Sequence, residues 1–382
     1  MKIAISFGFF LPVPPARGGA TEKIWHQLGL RLAAAGHDVT AFSRTWNGWP
    51  EHETLDGVGH RRLPGWNHRR ALWQNLVLDL AWSWRVRRVL PPDAVVISHN
   101  VSLPILLRCG PRRHPAAVAV VLGRMPKGQV RWYRGVDRIF ATSQAVAERA
   151  AFEDPTARGR IQVLRNCIDW AGLQAGARPA AASPVRIGFA GRIHPEKGLD
   201  LLIDAGAKLA RDTALPAWEI VVIGAVDIRD GGGGGTFAET LHTRAVAAGL
   251  GDRFQLLPPA WDPAQLREFY QGLTIFVYPS RAEKGEGLSV APIEAMAAGA
   301  VPVVSNLDCY RDLVRPGENG LVFDHRADDA ADQLAVYLRE LLLDTTRRYR
   351  LAEEARRTSQ HFDYDVVASE LQEDLRKLTA QA

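Results

Sequence analysis

Residues 285–299 read GEGLSVAPIEAMAAG, and they follow an apolar run, 273–278, that is typical of a buried strand. Glu286 and Glu294 flank a small turn that contains glycine and serine. The residues after Glu294 are good helix formers closed by Gly299. The stretch therefore predicts a strand, a turn and the start of a helix. Open α/β sheets bind anions at such a place, because free backbone N–H groups and the helix dipole point at the ligand.

The two glutamates indicate what else the ligand carries. A carboxylate cannot hold a phosphate, but it accepts hydrogen bonds from hydroxyl groups. Backbone N–H groups of the turn, Gly287 to Ser289 with Leu288 between them, are the candidates for the phosphate. A ligand that combines phosphate and hydroxyl groups, such as a nucleotide sugar, fits this arrangement.

A second candidate phosphate loop follows the predicted strand 185–189. Gly191, Arg192 and Lys197 lie in this loop, ahead of a predicted helix that starts at Leu199. Arginine can bind two phosphate oxygens at once, and lysine adds a point charge. Glycines 231–235 lie further along without a following Lys-Ser or Lys-Thr, so they exclude a P-loop and predict a flexible loop.

The N-terminal residues predict the start of a Rossmann-like unit. An apolar strand over residues 2–9 precedes Gly18 and Gly19, and helical apolar spacing runs from Thr21 to Ala35. Two glycines at a helix start let the backbone approach a diphosphate closely. The pattern G-x-G-x-x-G is missing, so no dinucleotide site is predicted.

These motifs fall in an order that resembles the family-four retaining glycosyltransferases of GT-B fold. The resemblance covers nearly the whole chain. The stretches that carry it are Gly18-Gly19, VLRNCID (163–169), FAGRIHPEKGLDLLIDA (189–205), Glu286-x7-Glu294 with EAMAAGAVPVV, and PGENGLVF (316–323).

The resemblance implies an α/β protein of two Rossmann-like, doubly wound domains that face a central cleft. The N-terminal, acceptor-binding domain would span residues 1–170, and the nucleotide-sugar-binding domain residues 185–362. Residues 171–184 are rich in Ala, Gly and Pro and are interpreted as the linker. A C-terminal helix, within about 363–382, would cross back to the N-terminal domain.

The resemblance also implies the chemistry. A hexose would move from a nucleotide diphosphate sugar to an acceptor with retention at the anomeric carbon and without a metal, and no cofactor is expected. Arg192 and Lys197 would bind the donor diphosphate and stabilise the leaving group. Glu294 would hold the ribose hydroxyls and Glu286 those of the sugar. UDP-glucose or a similar UDP-hexose is the favoured donor, and GDP-mannose is the next.

One departure from the family affects the acceptor side. Many relatives have a histidine after the strand 117–122, where this chain has Gly123-Arg124. His99, Asn100 and Arg124 are therefore the candidates for contact with the acceptor or the sugar. Two alternatives stay open, and the departure supports the first of them. One is a catalytically silent nucleotide-sugar-binding or coat-type structural relative, and the other is a GT-B epimerase or phosphorylase.

The charge is distributed unevenly along the 382 residues. Residues 1–170 hold 24 Lys and Arg against 12 Asp and Glu, a balance of +12, and nine of the 11 tryptophans. No apolar run approaches the ~20 residues that span a bilayer. Three scattered cysteines indicate neither a disulfide framework nor a zinc site, so a reducing cytoplasm is expected.

A segment at 71–89 is predicted to be helical and mixes Leu and Trp with several arginines. Such a mixture suits an anionic membrane interface, and an ordinary core helix with basic ends is the alternative. No nucleic-acid-binding motif accompanies it. These features favour a cytoplasmic protein, peripheral on the inner face of the cell membrane, with a glycan or lipid-linked acceptor of cell-surface polysaccharide synthesis.

Overall fold

The computed structural model describes residues 1–16, 18–69, 71–108, 115–174 and 183–380. Contacts divide the chain into two compact units. The first unit consists of Met1–Cys167, Lys284–Leu288 and Tyr364–Ala382, and the second of Ile168–Glu283 and Ser289–Asp363. Each unit contains one sheet.

An eight-stranded sheet forms the centre of the first unit, in the order β3-β4-β2-β1-β5-β6-β7-β8. All neighbouring strands are parallel except the β3–β4 pair. The elements of this unit are β1 (Lys2–Ser6), α1 (Ala20–Ala34), β2 (Asp38–Arg44), β3 (His52–Leu55), β4 (Val58–Leu63), α2 (Leu72–Val89), β5 (Val95–Ser98), α3 (Leu103–Arg108), β6 (Ala117–Leu122), β7 (Arg138–Ala141), α4 (Gln144–Glu153), β8 (Ile161–Val163) and α12 (Tyr364–Ala380).

Strand order reverses between β1 and β5, since the chain first builds outwards on one side of β1 and then on the other. Loops at such a switch point diverge from the carboxyl ends of the strands and leave room for a ligand. Gly18 and Gly19 follow β1, and His99 and Asn100 follow β5. The topology therefore places these candidates at the usual ligand-binding edge.

The hairpin β3–β4 was missed by the sequence analysis. Its turn contains Asp56 and Gly57, which both have positive φ angles of 48° and 82°. Asp-Gly is a favoured pair for such a tight turn, and this signal could have located the hairpin.

Helix α12 belongs to the first unit although it lies at the far end of the sequence. It packs against α1, and Arg31 contacts Asp365 at 2.5 Å. Arg138 on β7 binds Asp374 at 2.8 Å, and Leu371 and Leu375 are buried. The predicted return of a C-terminal helix to the N-terminal unit is confirmed.

A six-stranded, all-parallel sheet forms the centre of the second unit, in the order β11-β10-β9-β12-β13-β14. Its order reverses between β9 and β12. The elements are α5 (Trp170–Gln174), β9 (Val185–Ala190), α6 (Leu199–Leu209), β10 (Trp218–Ile223), α7 (Gly235–Ala247), β11 (Phe254–Leu257), α8 (Pro263–Gln271), β12 (Ile275–Tyr278), α9 (Val290–Ala297), β13 (Val301–Ser305), β14 (Leu321–Phe323), α10 (Ala330–Leu343) and α11 (Thr345–Ser359).

Two details of the second unit differ from the expectations. The linker interpreted at 171–184 begins inside α5, and its residues 175–182 lie outside the described residues. Strand β14 extends the sheet beyond β13, and the sequence analysis predicted no strand there.

The glycine run at 231–235 packs closely against its neighbours in the described backbone, and its flexibility stays a prediction. Gly233 N–H donates to the carbonyl of Ile193 at 2.7 Å, and Gly234 N–H donates to that of Val226 at 2.8 Å. A Cβ on Gly232 would overlap Val226. The run of glycines therefore allows the chain to pack tightly against its neighbours.

Candidate functional site

Lys197 lies in the loop between β9 and α6, and its side chain is buried. The ammonium donates a hydrogen bond of 3.2 Å to the hydroxyl of Tyr278, at the end of β12. Gly198 follows with a left-handed backbone (φ +67°), and a Cβ there would lie less than 3.0 Å from the carbonyl oxygen of Pro279. The loop that carries Lys197 is thus fixed against the end of the neighbouring strand.

Arg192 lies on the same loop and is partly exposed. Its guanidinium donates to Glu196 at 2.6 Å and to the carbonyl of Gly231 at 3.0 Å. A solvent-accessible ion pair contributes only about 0–1 kcal/mol, so an incoming phosphate can compete for the guanidinium. The glycine run therefore positions Arg192 without blocking it.

Gly191 allows the loop to approach β10. Its N–H donates to the carbonyl of Ile223 at 3.0 Å, and a Cβ on Gly224 would overlap the Gly191 carbonyl. Two glycines at this crossing permit a backbone approach that side chains would prevent.

Glu294 lies on α9 with its side chain buried. The hydroxyl of Tyr270, at the end of α8, donates a hydrogen bond to this carboxylate. Burial and the negative charge of Glu294 together raise the pKa of Tyr270 well above its usual range. Tyr270 therefore stays protonated and remains a donor to Glu294.

Ser289 precedes the first turn of α9 as its N-cap residue. Its hydroxyl makes a hydrogen bond of 3.1 Å with that of Tyr310, and no bond from the Ser289 side chain caps the helix. The backbone N–H groups of the first turn are thus not bonded by this side chain. In the second unit, Lys197 contacts Tyr278 at the end of β12, and the ring of Tyr278 lies 6.2 Å from that of Tyr310, the partner of Ser289 at the start of α9.

Residues 284–288, which include Glu286, Gly287 and Leu288, group with the first unit. The carbonyl of Gly287 accepts a bond of 2.6 Å from the Ser143 hydroxyl, and that of Leu288 accepts one of 2.5 Å from Asn166. A Cβ on Gly287 would lie 2.5 Å from the carbonyl oxygen of Gly123. The segment is therefore seated beside Gly123.

The contacts group Glu286 with the first unit and Glu294 with the second, and their roles towards sugar and ribose stay predictions. Both side chains are buried. Arg124, next to Gly123, is exposed, and its contact with an acceptor stays a prediction.

Gly18 and Gly19 both have positive φ angles, 51° and 87°, and Gly19 is the N-cap of α1. A Cβ on Gly19 would overlap the carboxyl group of Glu22, which is itself buried. Burial raises the pKa of Glu22 from 4.5 to about 7. The carboxyl group of Glu22 therefore lies against the backbone of this helix start.

His99 is partly exposed and packs against two aromatic side chains. Its ring lies 5.6 Å from that of Phe7 and 4.9 Å from that of Trp25, and burial lowers its pKa to about 3. His99 is therefore a neutral imidazole at physiological pH. Its Nε2 atom is buried without a hydrogen-bond partner in the part of the chain that the structure describes.

Asn100 is buried and holds the loop after β5 together. Its side chain accepts a bond of 2.6 Å from Ser6 and donates one of 3.1 Å to the carbonyl of Phe7. These bonds give Asn100 a structural role, and the contact of His99 and Asn100 with an acceptor stays a prediction.

The sequence analysis missed three tyrosines, namely Tyr270, Tyr278 and Tyr310. Each is buried and bonds to a residue predicted to bind the donor. A buried tyrosine hydroxyl normally has a partner, so a tyrosine at the end of a core strand such as Tyr278 was the available signal.

Two negative findings apply to the described residues. Within 1–16, 18–69, 71–108, 115–174 and 183–380, no three His, Cys, Asp or Glu side chains are arranged to hold a metal ion. In the same ranges no helix is both long and apolar enough to cross a bilayer.

Two sequence families match the chain, one along each half. Residues 18–171 match Glycosyltransferase Family 4, and residues 177–358 match Glycosyl transferases group 1.

Curated relatives match parts of the chain. A D-inositol 3-phosphate glycosyltransferase of Rhodococcus opacus is 29% identical over 252 residues, which is 64% of this chain and 54% of the relative. The lipopolysaccharide core biosynthesis mannosyltransferase LpcC of Rhizobium leguminosarum is 35% identical over 136 residues, 36% of this chain and 35% of the relative. The chain thus spans about half, or less, of the length of these relatives.

Solved structures match over the full length. Sucrose-phosphate synthase from Thermosynechococcus elongatus has a TM-score of 0.73 at 20% identity and covers 100% of both chains. Anabaena HepE in complex with UDP has a TM-score of 0.72 at 17% identity, over 99% of this chain and 100% of that one. At such identities the similarity establishes the fold.

Two Rossmann-like units with these sheets define a GT-B protein. The two family matches cover nearly all of the chain between residues 18 and 358. The protein belongs to the family-four glycosyltransferases, and the resemblance seen in the sequence is confirmed.

Proposed function

We propose that the protein is a retaining, metal-independent hexosyltransferase that uses a nucleotide diphosphate sugar. The observation that carries this proposal is the group of side chains in the second unit. A buried lysine and a loop arginine follow β9, and a buried glutamate lies on the helix that follows β12, the two strands between which the sheet order reverses. This group offers cations for a diphosphate and a carboxylate for ribose hydroxyls.

Each side chain of this group has one role in the proposed reaction. Lys197 and Arg192 bind the diphosphate and stabilise the negative charge that develops as it leaves. Glu294 accepts hydrogen bonds from the ribose hydroxyls, and Glu286 accepts them from the transferred sugar. The backbone near Gly19 and near Ser289 supplies N–H donors at helix starts.

The transfer proceeds on one face of the sugar. The bond between the anomeric carbon and the diphosphate oxygen breaks, and a bond from the acceptor hydroxyl oxygen to the same carbon forms on that face. The hydroxyl proton passes to the departing diphosphate oxygen. A front-face path needs no second carboxylate opposite Glu286, unlike the pair used by retaining glycosidases.

The donor is a UDP-hexose in this proposal. HepE, which has the same fold, was crystallised with UDP-glucose. GDP-mannose is the second candidate, because LpcC is a mannosyltransferase and another relative, 30% identical over 202 residues, is a GDP-mannose:cellobiosyl-diphosphopolyprenol alpha-mannosyltransferase of Xanthomonas oryzae.

The acceptor is proposed to be a glycan or lipid-linked glycan at the inner face of the cell membrane, in cell-surface polysaccharide synthesis. Helix α2 supports the membrane part of the proposal. Its outer face carries large apolar side chains, and Leu72 and Trp73 are 69% and 66% exposed. The other members of this face, here called the α2 face, are Leu76, Val77, Leu80 and Trp84.

The side of α2 that faces the protein interior carries polar residues. Their hydrogen bonds hold this side inwards, so the α2 face points outwards. Asp79 and Ser83 are buried, and the Asp79 carboxylate accepts a bond of 2.8 Å from the N–H of Ser102. Trp82 is buried and donates to the carbonyl of Phe7 at 3.0 Å. The ordinary-core interpretation of this helix would require the reverse arrangement.

Basic residues accompany the α2 face. Arg88 lies with its guanidinium 4.0 Å from the ring centre of Trp84, and Arg69 is exposed just before the helix. Apolar side chains with arginines at their border match the acyl and phosphate layers of an anionic bilayer. Charge complementarity therefore favours an anionic membrane as the occupant of this face.

Vesicle binding tests the membrane contact. We expect Trp73→Ser with Leu76→Ser to weaken flotation with phosphatidylglycerol vesicles about tenfold or more, because each buried apolar side chain contributes about 1.5–3 kcal/mol. Phe152→Ser is the matched control, since Phe152 is exposed on the same unit with Arg149 over its ring. Equal vesicle binding by both variants would contradict the membrane contact. So would a wild-type dimer that becomes a monomer in the double variant, because the α2 face would then be a dimer interface.

A product assay tests the transfer itself. Radiolabelled UDP-glucose and GDP-mannose are each incubated with the purified protein and with membrane glycolipids, and retention is checked by the anomeric configuration of the product. A preceding thermal-shift screen identifies the donor, because a ligand at 100 times its Kd adds about 2.7 kcal/mol of stability. Conversion of the donor alone into an epimer, or of a glycan and phosphate into a sugar phosphate, would favour the epimerase or phosphorylase alternative. Binding without turnover would favour the silent relative.

A further inference from the structure

Two buried tyrosines contact two residues of the proposed donor site. The ammonium of Lys197 donates to the hydroxyl of Tyr278 at 3.2 Å, and its Nζ atom lies 5.4 Å from the centre of the same ring. The hydroxyl of Tyr270 donates to the carboxylate of Glu294. All four side chains are buried and belong to the second unit.

We propose that Tyr278 and Tyr270 are positioning residues that act on different parts of the donor. Tyr278 directs Lys197 towards the diphosphate, and Tyr270 directs Glu294 towards the ribose. This inference rests on the proposed function and adds a division of labour between the two hydroxyl groups.

Packing alone does not account for the hydroxyl groups. Phe276 lies on the same strand as Tyr278, their ring centres are 6.1 Å apart, and Phe189 stacks on Tyr278 at 5.4 Å. Phenylalanine thus fills two neighbouring positions of this aromatic cluster. A buried hydroxyl group lowers stability unless it is hydrogen-bonded, so its presence at Tyr278 needs a partner such as Lys197.

The bond to Tyr278 restricts Lys197 in direction. A lysine ammonium sits on a flexible stem of four carbons and carries three N–H donors. An acceptor beneath it selects one arrangement of the stem and so sets the direction in which the ammonium faces an anion. Loss of the Tyr278 hydroxyl should therefore affect ligands with a diphosphate more than ligands without one.

The bond from Tyr270 restricts Glu294 in a parallel way. A carboxylate has about four acceptor positions, and a donor that occupies one of them orients the rest. Tyr270 comes from the end of α8 while Glu294 lies on α9, so the hydroxyl links two separate elements. Loss of the Tyr270 hydroxyl should weaken every ligand that contains the ribose.

Measuring ligand affinity in single variants tests whether Tyr278 and Tyr270 act on different parts of the donor. The Kd for UDP and for GDP is measured by titration calorimetry, and that of the matching nucleoside, uridine or guanosine, by competition. For Tyr278→Phe we expect about a tenfold or greater loss for the diphosphate and about twofold or less for the nucleoside, because bonds to charged groups contribute more than neutral ones. For Tyr270→Phe we expect losses of similar factor, about tenfold, for both ligands.

Tyr133→Phe is the matched control. Tyr133 is buried in the first unit, and its hydroxyl donates to the carbonyl of Val101 at 3.3 Å. The Tyr133→Phe substitution removes a buried hydroxyl group that contacts no residue of the proposed donor site, so the affinity for nucleotides should stay unchanged. Thermal melting of all three variants separates loss of stability from loss of affinity.

The outcomes separate the two proposals. A wild-type protein that binds neither UDP nor GDP would contradict the proposed function. A wild-type protein that binds one of them, with Tyr278→Phe losing diphosphate and nucleoside by the same factor or losing neither, would overturn the role of Tyr278. Unchanged nucleoside affinity in Tyr270→Phe would overturn the role of Tyr270.

Discussion

Replacement of Gly198 by alanine is the sharpest test of how the Lys197 loop is built. The glycine has a φ angle of +67°, and a Cβ would lie less than 3.0 Å from the carbonyl oxygen of Pro279. Real Cβ atoms essentially never approach another heavy atom so closely, and the obstacle here is backbone that cannot rotate away.

The expected destabilisation has two parts. A non-glycine residue in the left-handed region costs about 1–2 kcal/mol. Relief of the clash needs a shift of roughly 1 Å in the loop or in Pro279, and such overpacking costs about 1–3 kcal/mol. The free energy of unfolding should therefore fall by about 2–5 kcal/mol. Because Lys197 is the preceding residue, the shift should also weaken binding of the nucleotide diphosphate.

Gly249→Ala is the matched control for the backbone part. Gly249 has a φ angle of +73°, yet a Cβ there meets nothing within 4 Å. It should lower stability by about 1–2 kcal/mol and leave nucleotide affinity unchanged. Urea denaturation gives the free energies, and calorimetric titration with UDP or GDP gives the affinities.

The comparison refutes the reasoning if Gly198→Ala and Gly249→Ala destabilise the protein equally and both keep wild-type affinity. The close approach of the loop to Pro279 would then be no constraint in solution.

Three further predictions concern charge, pH and metal. Arg192→Ala should lower kcat/KM by about 30- to 1,000-fold (~2–4 kcal/mol) in the transfer assay, whereas Arg244→Ala, which only breaks an exposed pair with Asp204, should not; equal rates would remove Arg192 from the mechanism. Burial raises the pKa of Glu22 from 4.5 to about 7. Between pH 4.5 and about 7 the folded protein therefore keeps a proton on Glu22 that the unfolded chain has lost. The free energy of unfolding falls as the pH rises through this range. Glu22→Gln should therefore gain about 3 kcal/mol relative to the wild type between pH 4.5 and 7 in urea titrations; parallel curves would contradict the shift. A chelator should leave turnover intact, and activity that is lost and then restored by Mg²⁺ or Mn²⁺ would contradict the metal-free scheme.

Much of the fold could be predicted because local patterns and tertiary structure agree. The helix predicted from Leu199 to about Leu209 is α6, and the strand predicted over residues 117–122 is β6. The helix has clear apolar periodicity after Gly198, and the strand is a short continuous apolar run that ends at Gly123, so the backbone has few alternatives.

The assignment of site residues to units could not be predicted in the same way. Glu286 and Glu294 are eight positions apart, and sequence distance gives no sign that residues 284–288 pack on the first unit. That placement depends on Ser143 and Asn166, which lie far away along the chain.

The sequence also could not predict which face of an amphipathic helix points inwards. The pattern of α2 is compatible with either face inwards, because Trp82 and Trp84 are both large and apolar. Only the anchoring of Asp79 and Trp82 decides which one is buried. Likewise, the roles of Tyr270 and Tyr278 depend on contacts between separate elements.

The placement of α12 has a consequence for synthesis on the ribosome. Residues 168–363 are translated between the two long segments of the first unit, interrupted only by 284–288. At 5–20 residues per second these roughly 200 residues take about 10–40 s to make. During this interval the surface of α1 that later packs against α12 is exposed. The nascent chain should therefore bind chaperones until α12 has been synthesised.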